Sequence, residues 1–241
     1  MMNLTQPSSS DWRALSRQGK IELLDFIDTR AERERSTQLA RYKSYPKQLE
    51  FHENGLTAQE RLLLAANRVG KTFCGAAESA MHLTGQYPVW WPGRRFEQPI
   101  EMWAGSDTGE TTRDTVQANL IGPPSVEADW GTTALPADCL GRITRRMGVA
   151  DALDTVEVKH VSGGSSVLGF KSYDQGRKKW QGTQKHAVWC DEEPPYDVYI
   201  EALTRTNTLP EGGRGLIYIT FTPLMGWSKV VESFLSEDDA T

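Results

Sequence analysis

The apolar run Leu62-Leu63-Leu64-Ala65-Ala66 ends in Asn67-Arg68-Val69-Gly70-Lys71-Thr72, and small residues follow it directly. That succession constrains the fold more than any other stretch of the chain. A buried strand that feeds a tight loop and then a helix leaves free backbone amides at the helix N-terminus, where they cradle phosphate. In such a P-loop the Lys meets the β- and γ-phosphates and the Thr hydroxyl holds magnesium. Ala66, Asn67, Arg68, Val69, Gly70, Lys71 and Thr72 are therefore candidate nucleotide contacts, with Thr72 a metal ligand as well. The pattern G-x-x-x-x-G-K-[ST] asks for Gly where this chain has Ala65, so the reading needs support from elsewhere.

At 241 residues the chain can bury a substantial core, as one α/β domain with a small appendage. No apolar run approaches a membrane span and no charged-then-apolar leader opens the chain, which predicts an intracellular protein without a membrane partner. Cys74, Cys139 and Cys190 are scattered without C-x-x-C pairing and are expected in packing roles rather than in disulfides or a zinc site. A net charge of −5 argues against coating nucleic acid with the whole surface while leaving room for a local basic patch.

Residues 1 to about 45 are polar and helix-friendly, with Ser10 or Asp11 able to cap a first short helix and Glu22 to Ile27 giving an apolar stripe for a second. The charges from Arg30 to Arg41 suit a solvated helical appendage. From Arg61 onward strand and helix alternate, which predicts a mostly parallel sheet with crossover helices. Strands are expected at 62–66, 99–104, 185–190 and 215–221. Helices are expected at 70–83, 110–120 and 196–206, and a hairpin joins 155–161 to 165–170 through Gly163-Gly164. Residues 122–150 carry no decisive pattern.

The second anchor is His186-Ala187-Val188-Trp189-Cys190-Asp191-Glu192-Glu193, an apolar strand that ends in acids. Magnesium beside a P-loop needs a carboxylate ligand, a role for Asp191. Glu192 would then face the γ-phosphate and take a proton from the attacking water. Paired acids also suit a helix N-terminus, and Pro194-Pro195 and a helix do follow. With Gly70-Lys71-Thr72 upstream in the right order, the catalytic reading prevails. The separation of the anchors leaves room for an extra strand between the phosphate and magnesium strands, and 99–104 is expected to supply it. No guanine-reading N-K-x-D is present, which favours ATP over GTP.

Ala66 to Thr72, then Gly75-Ala76-Ala77-Glu78 with His82-Leu83-Thr84-Gly85 and Tyr87-Pro88, then Asp191-Glu192-Glu193-Pro194 and Thr220-Phe221-Thr222-Pro223, resemble the large terminase subunits of tailed bacteriophages. The resemblance covers roughly residues 45 to 230. It implies a three-layer P-loop NTPase fold of the ASCE, RecA-like type, with ATP and Mg2+ as cofactors and ATP hydrolysis that drives double-stranded DNA into a procapsid. Implied partners are DNA, a portal protein, a small terminase subunit and further copies in a ring, all in the host cytoplasm. The family's P-loop is deviant, so Ala65 becomes an expected departure. Gln48, in Tyr45-Pro46-Lys47-Gln48, matches the adenine-contacting segment, and a Gln has the donor and acceptor to read adenine's edge. Thr220 and Thr222 match the coupling motif, where a hydroxyl senses the γ-phosphate; β-branched residues also suit a strand end.

An arginine that stabilises the transition state comes in this family from the P-loop or from a neighbouring subunit. Arg68 is in the loop, one position from the usual place, and Arg177 is the candidate for action in trans, with Arg142, Arg145 and Arg146 behind it. DNA phosphates have eligible contacts in 142–146, 177–179 and Arg94-Arg95. Trp90-Trp91 are expected to close a core or subunit contact. The expected division is a helical appendage at 1–45, an ATPase core at 46–225 and a lid or linker at 226–241, without a nuclease and without DNA cutting. A helicase-like ATPase and a nucleotide-controlled ring-assembly module are the alternatives.

Overall fold

The computed structural model describes residues 15–36, 38–223, 226 and 228–235. The expected cap at Ser10 or Asp11 and the acidic run Ser236 to Asp239 lie outside the described residues.

Seven strands form one sheet: β1 (Glu60–Leu64), β2 (Glu101–Ser106), β3 (Leu140–Arg145), β4 (Leu153–Lys159), β5 (Ser165–Ser172), β6 (Ala187–Asp191) and β7 (Leu216–Phe221). Their order is β1-β7-β6-β2-β5-β4-β3, parallel from β1 to β5 and antiparallel through β4 and β3. Strands β6 and β7 are buried at every position, as strands covered on both faces must be. This explains why their sequences are nearly continuous apolar runs.

The helices are α1 (Arg17–Ser36), α2 (Pro46–Asn54), α3 (Lys71–Thr84), α4 (Gly109–Thr111), α5 (Ala118–Leu120), α6 (Tyr196–Thr206) and α7 (Lys229–Leu235). On one face of the sheet, Cys74, Ala80 and Leu83 of α3 pack with Val116 and Leu120 against Met102, Leu168, Trp189 and Tyr218. On the other, Val198 and Tyr199 of α6 and Val230 of α7 meet Val188, Ile217, Ile219 and Phe221. The result is the three-layer α/β fold expected of a P-loop NTPase. Helix α3 lies so close to the sheet that a Cβ at Gly75 would fall 2.4 Å from the indole of Trp189. Only glycine fits there. The three cysteines are buried, and none forms a disulfide among the described residues. No helix among the described residues is long and apolar enough to cross a membrane.

One expectation is overturned. The strand inserted between β1 and β6 is β7, paired on both sides as Leu64↔Phe221 and Asp191↔Thr220, while the strand at 99–104 (β2) lies on the far side of β6. Parallel strands need crossovers, so chain order does not fix sheet order; here the last strand of the chain returns to the middle. That return brings Thr220 and Thr222 to the P-loop.

The helix expected at 110–120 is broken by a π-helical run, Thr112–Gln117, between α4 and α5. The undecided 122–150 stretch contains β3, an edge strand whose register shifts twice along β4. Upstream, α1 leaves Ile21, Leu24, Phe26 and Ile27 exposed. Tyr42, by contrast, is buried beside Ala77, Met81 and Trp91.

Candidate nucleotide site

The site lies past the C-terminal ends of β1, β7, β6 and β2, where ligands of open parallel sheets bind. After β1 the chain turns through Arg68, which has a positive φ of 63°, and Gly70, with φ of 82°, into α3. Gly70 tolerates that conformation because it has no Cβ. Its turn aims the first amides of α3 outward, as a phosphate cradle requires.

Lys71 lies over this loop. Its ammonium donates to the Ala66 carbonyl and to the Thr222 hydroxyl, both at 2.8 Å, and Thr222 in turn donates to Asn67 Oδ1 at 2.8 Å. The end of β7 and the P-loop are thereby tied together. Thr220, two residues earlier, is fully buried and plays a different part: its hydroxyl donates to Asp191 Oδ1 at 2.8 Å and accepts from Trp189 Nε1 at 2.9 Å. It orients the acid at the end of β6.

Thr72 Oγ1 donates to the two oxygens of Asp191 at 3.0 and 3.2 Å. Burial pushes the Asp191 carboxyl up to about 7, against the hydrogen bonds from Thr220 and Thr72. A buried carboxylate faced mainly by neutral hydroxyls is short of positive charge, and a hard divalent cation with oxygen ligands answers that need. The donor set therefore fits magnesium.

Glu192 follows with a positive φ of 67°. Its amide donates to the Thr220 carbonyl at 2.9 Å, and its own carbonyl accepts from the Tyr173 hydroxyl at 2.9 Å, so the backbone is held from both sides in a conformation that non-glycine residues rarely adopt. Its carboxyl is raised above the usual range by burial and by the charge of Asp107, with Lys71 opposing. Tyr173 and Asp107 are neighbours of Glu192 that the sequence reading did not single out. Tyr173 had no signal, but Asp107 ends an apolar strand just as Asp191 does.

Beside the loop opens a cavity of about 820 Å³ lined by Tyr42, Tyr45, Gln48, Ala65, Arg68, Val69 and Phe73 among others. Gln48 is buried in its wall; its side chain accepts from the Tyr45 amide at 2.9 Å and donates to the Gly70 carbonyl at 3.2 Å. Arg68 shares this cavity. Arg177 stands elsewhere, on the turn Arg177–Trp180, where its Nε donates to Glu201 Oε2 of α6 at 2.9 Å.

Of the other basic candidates, Arg94, Arg95, Arg145 and Arg146 have partners of their own. Arg145 pairs with Glu127 and Arg146 donates to Ser172 Oγ at 2.9 Å. Arg94 and Arg95 lie over the rings of Phe96 and Tyr87. Trp91 is buried against His52 while Trp90 stays partly exposed.

A model of the N-terminal part of the T4-like-virus-type terminase large subunit matches residues 62–241. The chain belongs to the terminase large subunit family. The terminase large subunit of Salmonella phage P22 is 38% identical over 238 residues, which cover 92% of this chain and 47% of that protein. The chain thus spans about half the length of this terminase relative. Among solved structures, the large terminase of a thermophilic bacteriophage has a TM-score of 0.55 at 11% identity, covering 82% of this chain and 44% of that one. A mutant ATPase domain of the large terminase of Thermus phage P74-26 has a TM-score of 0.50 at 18% identity and covers 80% and 74%. At such identities these terminases share the fold.

Proposed function

We propose that this chain is an ATP hydrolase that powers translocation of double-stranded viral DNA into a procapsid. The observation that carries the reading is the convergence of Lys71, Thr72, Asp191 and Glu192, from two strands separated only by β7, on one open edge of the sheet. Lys71 would leave Thr222 and Ala66 for the β- and γ-phosphates, Gln48 and the cavity beside it would take the adenine, and Thr72 and Asp191 would hold Mg2+. When bound, the cation neutralises charge that develops on the transferred phosphoryl group. Glu192 accepts the proton of the attacking water. Thr222, through its bond to Lys71, is suited to register the γ-phosphate and pass its loss to the segment after β7.

The arginine is supplied by Arg68 from the loop or by Arg177 of a neighbouring copy. The terminase family supports the wider setting: a ring of copies on a portal protein, a small terminase subunit as partner, and assembly in the host cytoplasm. Within the chain we assign 1–45 to a helical appendage, 46–225 to the ATPase core and 226–241 to a lid or linker.

Turnover of ATP by the wild-type chain with and without duplex DNA, together with strand separation, tests the proposal. DNA-stimulated hydrolysis without unwinding supports a packaging motor, and unwinding supports a helicase instead. If Glu192→Gln abolished turnover yet left DNA movement by the assembled motor intact, the site would only control assembly.

A further inference from the structure

Strands β2 and β6 are parallel neighbours, and their last paired residues are Gly105 and Cys190. Two residues further along each strand come Asp107 and Glu192, so two carboxylates project from adjacent strand ends on the same edge of the sheet. Both backbones are fixed. Glu192 is held by Thr220 and Tyr173, the Asp107 carbonyl accepts from the Asp174 amide at 2.9 Å, and Thr108 caps the following helix through a bond from the Thr111 amide at 3.0 Å. The Tyr173 hydroxyl lies against both strand ends, 2.9 Å from the Glu192 carbonyl and 3.4 Å from that of Gly105.

The Asp107 carboxylate itself has no hydrogen-bond or ion-pair partner among the described residues. It is exposed, one residue past the end of β2. Its helix-capping neighbour is Thr108, the buried Ser106 lies before it, and Arg113 is paired with Asp114 at 2.7 Å.

We infer that Asp107 is a second carboxylate of the hydrolytic centre, accepting one hydrogen of the attacking water while Glu192 accepts the other. This rests on the ATP-hydrolase reading above. A water held by one acceptor rotates about that bond; two acceptors leave its lone pair with one direction, toward the γ-phosphorus. As the water oxygen bonds to phosphorus, the bond from phosphorus to the β–γ bridging oxygen breaks, and that oxygen leaves with the electron pair on ADP. One proton passes to Glu192. Asp107 gains no proton and keeps its bond to the second hydrogen, which remains on the phosphate product.

The test compares Asp107→Asn and Asp107→Ala in the full chain, with Lys71→Ala as reference, by steady-state ATP turnover, binding of a fluorescent ATP analogue with Mg2+, and thermal unfolding. The alanine variant should lose about 10- to 100-fold in kcat, the scale expected from a misplaced reactant, with KM, analogue affinity and unfolding temperature unchanged. The asparagine variant keeps an acceptor oxygen and should recover most of the loss. An alanine variant with wild-type kcat, beside a dead Lys71→Ala, overturns the assignment and leaves the ATPase reading standing. Equal loss in both variants, or loss together with weakened binding or lower stability, also overturns it by showing a charge or structural role. A wild-type chain that neither binds nor hydrolyses ATP overturns the reading beneath it.

Discussion

Lys71 of the P-loop and Thr222 at the end of β7 are joined by a 2.8 Å hydrogen bond across the mouth of the site. Because Thr222 also holds Asn67 at 2.8 Å, one hydroxyl connects both ends of the phosphate loop to the strand that separates it from Asp191.

A nucleotide must compete with this contact. A hydrogen bond of this kind is worth about 1 kcal/mol net, so Thr222→Val should leave ATP affinity equal to wild type or up to roughly fivefold tighter. Lys71→Ala should lose binding outright. Titration with a fluorescent ATP analogue distinguishes them, and a Thr222→Val chain that binds as poorly as Lys71→Ala would show that the hydroxyl belongs to the phosphate cradle itself.

Asp191 makes stability pH-sensitive when no metal is added. Its folded-state pKa is raised to about 7 by burial, whereas an unfolded Asp titrates near 3.9. The folded chain therefore holds an extra proton between these values, and the cost of ionising Asp191 accrues as pH rises from about 3.9 through 7. Asp191→Asn, measured without metal, should unfold at higher temperature than wild type at pH 8, with the gain fading toward pH 4. A variant less stable than wild type at pH 8, or a difference that ignores pH, would contradict the assigned burial.

Behind the cavity, Glu78 of α3 is buried among Arg61, His52 and His82, with hydrogen bonds of 2.5 to 3.2 Å. Burial alone would raise its pKa, but the Arg61 guanidinium and the two histidines hold it well below the usual range. Removing one partner of a buried ionic cluster strands the others, at about 3–5 kcal/mol. Glu78→Ala should lower the thermal midpoint by roughly 6–20 °C, at about 2–4 °C per kcal/mol for a chain of this size. A shift under about 2 °C, less than 1 kcal/mol is expected to give, would mean that the cluster is decoration.

Much of this was legible in the residues. An apolar run that ends in Gly70-Lys71-Thr72 and another that ends in Asp191-Glu192 announce two strands and what they carry; continuous apolarity marks full burial in β6, whereas β1, at the edge of the sheet, is buried only in part. The order of the sheet was not legible. Nothing local in Leu216 to Phe221 says that it returns between β1 and β6, so the residues alone point to 99–104 for the inserted strand. Strand β3 was hidden because Leu-Gly-Arg-Ile-Thr-Arg has no clean alternation and its pairing is bulged. The π-helical run at Thr112–Gln117 has no sequence signature. Thr220 and Thr222 read alike as strand-end hydroxyls, and only the fold separates one behind Asp191 from one over Lys71.

The central claim is that Glu192 accepts the proton in ATP hydrolysis at this edge of the sheet. The rate of γ-phosphate release by Glu192→Gln at saturating ATP and Mg2+, beside wild type and with analogue affinity measured in parallel, tests it directly. The account predicts unchanged affinity and a rate at least about 100-fold lower, the usual contribution of a positioned general base. Phosphate release at the wild-type rate would contradict it.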